Sequence, residues 1–177
     1  GTGSFTQTAG SLIVNGTMTQ GSLSITGGTV GGGGTINGNL AVSAGGAIGP
    51  GNSPGTLTIN GDLIIDTGVL SLEQGDILNV SGLFQIGAGA SVELAFDSFT
   101  SNLIDLSSFF TVSQPNFLAG FANTEFNLVT FDSAFIGEEL TLDFGTESLT
   151  LTAELSASAL PTPSSLPLFV SSLLAMA

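Results

Sequence analysis

Apolar residues in the first 95 positions come in pairs spaced two apart. The pairs are Leu12/Val14, Leu23/Ile25, Leu40/Val42, Leu57/Ile59, Leu63/Ile65, Leu70/Leu72, Leu78/Val80, Phe84/Ile86 and Val92/Leu94. A period of two puts both members on one face of a strand and the residue between them on the other. The intervening and flanking positions are mostly Ser, Thr, Asn and Gln. Turn signals separate the pairs: Asn15-Gly16, Gly27-Gly28, Asn37-Gly38, Asn60-Gly61, Gly75-Asp76 and Ser81-Gly82. The pattern predicts short, half-buried strands and no helix before residue 156.

Two series recur at nearly fixed spacing. Leu57, Leu70 and Phe84 are 13 and 14 apart; Leu63, Leu78 and Val92 are 15 and 14 apart. Two strands per unit with tight turns predict the coils of a parallel solenoid. A β-sandwich of hairpins is the alternative, since Asn-Gly turns suit hairpins too. Strands of four or five residues, and Gly at similar points of successive units, favour the solenoid. The expected fold class is therefore all-β, a parallel β-helix (β-solenoid).

The rhythm changes after residue 96. Eleven of the 13 Phe lie between Phe84 and Phe144, and only Phe5 precedes them. This predicts Gly-rich coils over residues 1–96 and Phe-rich closing coils or a cap over 97–155. A cap covers the apolar side chains and strand edges that a last coil leaves open. The Phe set is expected to be core; as a sugar-stacking platform it lacks Trp and Tyr. Residues 156–177 form an apolar tail with Pro161, Pro163 and Pro167 at its start. The ten residues after Pro167 are too few for a membrane-spanning helix. Leu168, Phe169, Val170, Leu173 and Leu174 are expected to lie against a neighbouring subunit. The N-terminal segment from Gly1 to Gly10, with Phe5, is a second candidate for such a contact.

Composition narrows the function. The 177 residues include no Lys, Arg, His, Cys, Trp or Tyr, and 14 Asp and Glu give a net charge of −14. Phosphate contacts need basic side chains, so no nucleic acid is an expected partner. Anionic membrane surfaces should repel the chain. Nucleophilic triads lack a base that titrates near neutrality, and thiol chemistry is absent. Two-carboxylate glycoside hydrolysis remains chemically available, for instance at Asp62 and Asp66. Calcium needs only oxygen ligands, and Asp62, Asp66, Glu73 and Asp76 are candidates on two consecutive expected coils. Glu138, Glu139 and Asp143 form a second acidic group. The expectation is a solvated acidic surface, no cofactor and no enzymatic activity. Residues 1–61 carry no ionisable side chain. A segment so free of charge suits association with copies of itself, or with a neutral glycan.

The run from Gly27 to Gly68, GGTVGGGGTINGNLAVSAGGAIGPGNSPGTLTINGDLIIDTG, resembles the passenger repeats of bacterial autotransporters and related exported β-helix proteins. Its Pro50-Gly51-Asn52-Ser53-Pro54-Gly55, followed by the strand Thr56 to Asp62, carries the likeness. The stretch from Phe126 to Leu155 resembles the closing coils of that class. The tail resembles the Pro-Glu-Pro-type sorting signal of exported Gram-negative proteins, although here it reads Pro-Thr-Pro and no basic residue follows. These resemblances imply export, a bacterial cell-surface or extracellular location, and a role as structural subunit or adhesin stalk. The start at Gly1 suggests an upstream signal peptide.

Overall fold

The computed structural model describes residues 3–51 and 54–95 in full, together with the backbone of seven strands between residues 103 and 169. The first twelve strands are β1 (Ser4–Gln7), β2 (Ser11–Ile13), β3 (Thr17–Ile25), β4 (Gly28–Gly32), β5 (Thr35–Val42), β6 (Gly46–Pro50), β7 (Thr56–Asn60), β8 (Leu63–Ile65), β9 (Val69–Glu73), β10 (Ile77–Val80), β11 (Phe84–Ile86) and β12 (Ser91–Ala95).

They wind around three faces. The first face stacks the leading halves of β3 and β5, then β7 and β10. The second stacks β1, the trailing halves of β3 and β5, then β8 and β11. The third stacks β2, β4, β6, β9 and β12. Every ladder among them is parallel, and the chain forms a β-solenoid of about four turns. A parallel pair needs a long return connection; here the other two faces of each coil supply it.

Each coil therefore covers three faces, with two strands in the coils of β3–β4 and β5–β6 and three in those of β7–β9 and β10–β12, where the spacing of 13–15 pointed to two throughout. Side-chain bonds between adjacent coils join residues 18, 21 or 23 apart. Leu57, Leu70 and Phe84 belong to β7, β9 and β11, one on each face. The series stepped over every second strand and so covered two thirds of a coil.

The corner between the first and second faces explains how strand number varies. In β3 and β5 the chain runs through it as one strand with a register shift between Thr19 and Ser22. Gly38 makes this close passage feasible. Its φ is +141°, and a Cβ there would collide with the Gln20 carbonyl oxygen. One coil later Gly61-Asp62 breaks the strand into β7 and β8.

Seventeen of the eighteen paired apolar residues predicted from the sequence are buried, and Leu12 is half-buried. Val30, Ile36, Ile48 and Ala90 complete the core. Each fully buried Leu, Ile or Val contributes about 1.5–3 kcal/mol of transfer free energy. Stacking like on like (Leu40 on Leu63, Val42 on Ile65) fills each layer with side chains of similar size.

Beyond residue 95 the strands are β13 (Leu103–Asp105), β14 (Phe110–Val112), β15 (Glu125–Leu128), β16 (Glu139–Asp143), β17 (Ser148–Thr152), β18 (Glu154–Leu155) and β19 (Leu168–Phe169). β14 extends the first face by pairing with β10, and β15 extends the third by pairing with β12. The register steps from Leu78 to Phe110 and from Val92 to Phe126, longer than in earlier coils. β13 pairs with β16 in parallel, whereas β16 and β17 form an antiparallel hairpin. Only residues 144–147 separate its strands, and such a short link permits antiparallel pairing alone. The side chains of the Phe set after Phe84 lie outside the described residues. Among the described residues no helix is long and apolar enough to cross a membrane.

Candidate assembly interface

The first coil ends the stack. β1 and β2 are terminal strands of their sheets, and the start of β3, at Thr17 and Met18, pairs with β5. One backbone edge of this coil therefore faces away from the solenoid. Unpaired edge N–H and C=O groups are templates for another strand.

The side chains of this rung tell the same story. Phe5 stacks on Leu23, Leu12 on Val30 and Met18 on Ile36. The three lower residues are buried, while Phe5, Leu12 and Met18 are half-buried against the core. Among the described residues no further layer covers their outer sides. Ile13, at the end of β2, is 51% exposed.

The rung is fixed in place. Gln7 is buried, and its Nε2 donates to the carbonyls of Gly10 and Thr29, each at 3.0 Å. Thr26 Oγ1 donates to the Gln7 carbonyl at 3.2 Å. One amide thus ties the corner between β1 and β2 to the next coil. Sequence reasoning singled out Phe5 here but not Leu12, Met18 or Gln7. Leu12 was visible as a core residue; its place at the end of the stack was not.

The four calcium candidates do not meet. They stand around the corners of one coil, flanking β8 and closing the turn after β9. Asp62 Oδ1 accepts the Leu83 N–H at 2.9 Å, while the Asp62 N–H donates to Asn39 Oδ1 at 3.0 Å. Asp62 is a corner clamp between coils. Asp66 and Glu73 are exposed. Asp76 is buried, and its two oxygens accept the N–H groups of Gly55 and Glu73, each at 2.9 Å. Burial pushes its carboxyl above the ordinary value; the two N–H bonds oppose that shift and the nearby Glu73 adds to it. Among the described residues no group of three or more potential ligands is placed to hold a metal ion. Asp62 and Asp66 lie at opposite ends of β8, at different corners, rather than together as a hydrolytic pair. Of the second acidic group, Glu139 and Asp143 begin and end β16, and Glu138 lies outside the described residues.

In the tail, Leu168 and Phe169 form β19, which pairs antiparallel with Leu155 and Glu154 of the same chain. Gly1, Val170, Leu173 and Leu174 lie outside the described residues.

The first face is chemically distinct. Its outward positions form files running across the coils, Thr35–Thr58–Asn79 and Thr19–Asn37–Asn60. Asn60 Nδ2 donates to Asn37 Oδ1 at 2.8 Å, and Asn37 Nδ2 donates to Thr19 Oγ1 at 3.2 Å. No outward residue of these files is ionisable.

Comparison with known protein families, with curated proteins and with solved structures finds no match to this chain.

Proposed function

We propose that this chain is a non-catalytic structural protein, exported by a bacterium, that assembles with copies of itself into an extracellular fibre, sheath or surface layer. The observation that carries this reading is the open first coil. It offers a rigid strand edge, an incomplete apolar layer and no charge. Burying it against another subunit desolvates no ionised group, which removes the largest cost of association. The first acidic residue along the chain is Asp62. If the contact is head-to-tail it propagates without closing and gives filaments; a two-fold contact closes as a dimer. The absence of Lys and Arg denies trypsin-like proteases a cleavage site, which suits an exposed location.

Electron microscopy and light scattering of the full chain at neutral pH test the proposal. Filaments or sheets are expected; a monodisperse monomer at high concentration contradicts it. Lowering the pH toward about 4 neutralises carboxylates and should bundle the material. Turbidity that stays flat over that descent counts against assembly limited by repulsion.

A second reading, an adhesin or adhesin stalk, draws on the charge-free amide and hydroxyl files of the first face. Such a face suits a neutral glycan. Binding to immobilised glycans without self-association favours it over the first reading.

A further inference from the structure

We propose that Asn15 and Asn60 are sites of spontaneous deamidation, and that the fold protects Asn37, which stands in the same Asn-Gly context. The reaction needs only the chain and water. The backbone nitrogen of the following glycine attacks the asparagine side-chain carbon. A new C–N bond forms, the bond to the amide nitrogen breaks, and ammonia leaves. Water then opens the cyclic imide at either carbonyl, giving aspartate or isoaspartate. A following glycine favours the attack, because it has no side chain to block its nitrogen and has a wide choice of backbone angles.

The structure separates the three sites. Asn15 and Gly16 are both exposed and lie outside any strand. A Cβ on Gly16 would meet nothing within 4 Å, so that side of the glycine is open, while Gly34 packs near its nitrogen on the other. Asn15 Oδ1 accepts the Gly33 N–H at 3.2 Å, so this amide is held at one atom only. Asn60 is exposed at the end of β7, and Gly61 lies beyond the strand. Its amide makes one bond, to Asn37. Asn37 differs from both in exposure, place in the strand and restraint, although Gly61, like Gly38, packs against a backbone carbonyl, that of Gly38. It is half-buried inside β5, and Gly38 belongs to the same strand, packed against the Gln20 carbonyl. Its amide is held at both atoms, by Thr19 and by Asn60. Those two bonds must break before it can react, which slows it by roughly tenfold or more.

The sites are also coupled. An aspartate at position 60 has no N–H to give Asn37 Oδ1, so the reaction of Asn60 removes half of Asn37's restraint. Conversion should run in sequence along the file. Each event places a negative charge within residues 1–61, where the chain has none. Charge appearing there would weaken any contact made through the neutral end.

The test is incubation of the full chain in heavy-oxygen water at mildly alkaline pH, followed by peptic digestion and mass spectrometry. Label should enter at Asn15 and Asn60 first and at Asn37 roughly tenfold more slowly. In denaturant the three rates should converge, because the sequence context is shared. Gly16→Ala, for which the structure has room, should slow Asn15 several-fold and leave Asn60 unchanged. Asn60→Asp should accelerate Asn37. Equal rates at all three sites in the folded chain, or slow Asn37 conversion persisting in denaturant, overturns the proposal. So does an Asn15 rate untouched by Gly16→Ala. These readouts depend on the coil geometry alone, so failure of self-assembly leaves them standing.

Discussion

Replacing Asp76 should expose how one carboxylate holds two coils together. Its side chain is 2% exposed. Oδ1 reaches back 21 residues to the Gly55 N–H, and Oδ2 takes the Glu73 N–H within its own turn. Its own N–H donates to the Glu73 carbonyl at 2.9 Å. Bonds to a charged acceptor are worth about 1.5–3 kcal/mol each, and relief of the buried charge offsets part of their loss. Asp76→Ala should therefore cost about 2–4 kcal/mol. Asp76→Asn keeps one acceptor and turns an amide N–H toward the other donor, so it should cost about 1–2 kcal/mol. Urea unfolding followed by circular dichroism measures both. The pH dependence carries the sharper sign. Burial raises the folded-state pKa above the ordinary 3.8, so ionised Asp76 destabilises the fold relative to its protonated form. That penalty is fully present above the raised pKa and lifts as pH falls toward 3.8. Wild type should gain stability relative to Asp76→Asn over that interval. A wild type that loses stability relative to the variant would refute the reasoning, since the N–H bonds would then outweigh burial.

Three further substitutions probe the coil. Ile59→Ala empties a fully buried site in the middle of the stack and should cost about 2–5 kcal/mol in urea unfolding, more than Leu12→Ala at the open end. Gly38→Ala should prevent the wild-type fold or lower its melting temperature sharply, because the new Cβ meets the Gln20 carbonyl at a positive φ. Ala44 has a φ of +50°, a conformation that costs a non-glycine residue about 1–2 kcal/mol. Ala44→Gly should then be neutral or stabilising by up to about 1 kcal/mol, once the entropy of the unfolded glycine is counted, and thermal melting would show it.

The alternation of apolar residues was enough to place most of the core, because an inward pair needs only a period of two. Val30 and Ile48 escaped that reading: neither has an apolar aliphatic partner two positions away, Val30 lying between Gly28 and Gly32 and Ile48 between Gly46 and Pro50. The number of strands per coil was legible only in part. Corners vary in length, so the repeat between paired residues of the first twelve strands ranges from 17 to 23 and no single spacing reveals it. The carboxylates were harder still. Asp62 and Asp76 read as solvated or metal-binding, yet each accepts backbone N–H groups at a corner, and the donors lie 21 residues away in Leu83 and Gly55. Such partners become visible only once the register is known. The open rung was foreshadowed by the uncharged first third, but the sequence does not show which side chains cap it.

Sedimentation velocity across a concentration series, comparing wild type with Leu12→Glu, tests the proposed association most directly. Leu12 is half-buried at the end of the stack, so a charge there leaves the lower coils intact and should lower stability modestly, which circular dichroism would check. Wild type is expected to form larger species as concentration rises, and Leu12→Glu to remain monomeric while folded. Identical sedimentation of the two proteins, whether both assemble or both stay single, would contradict association through the open coil.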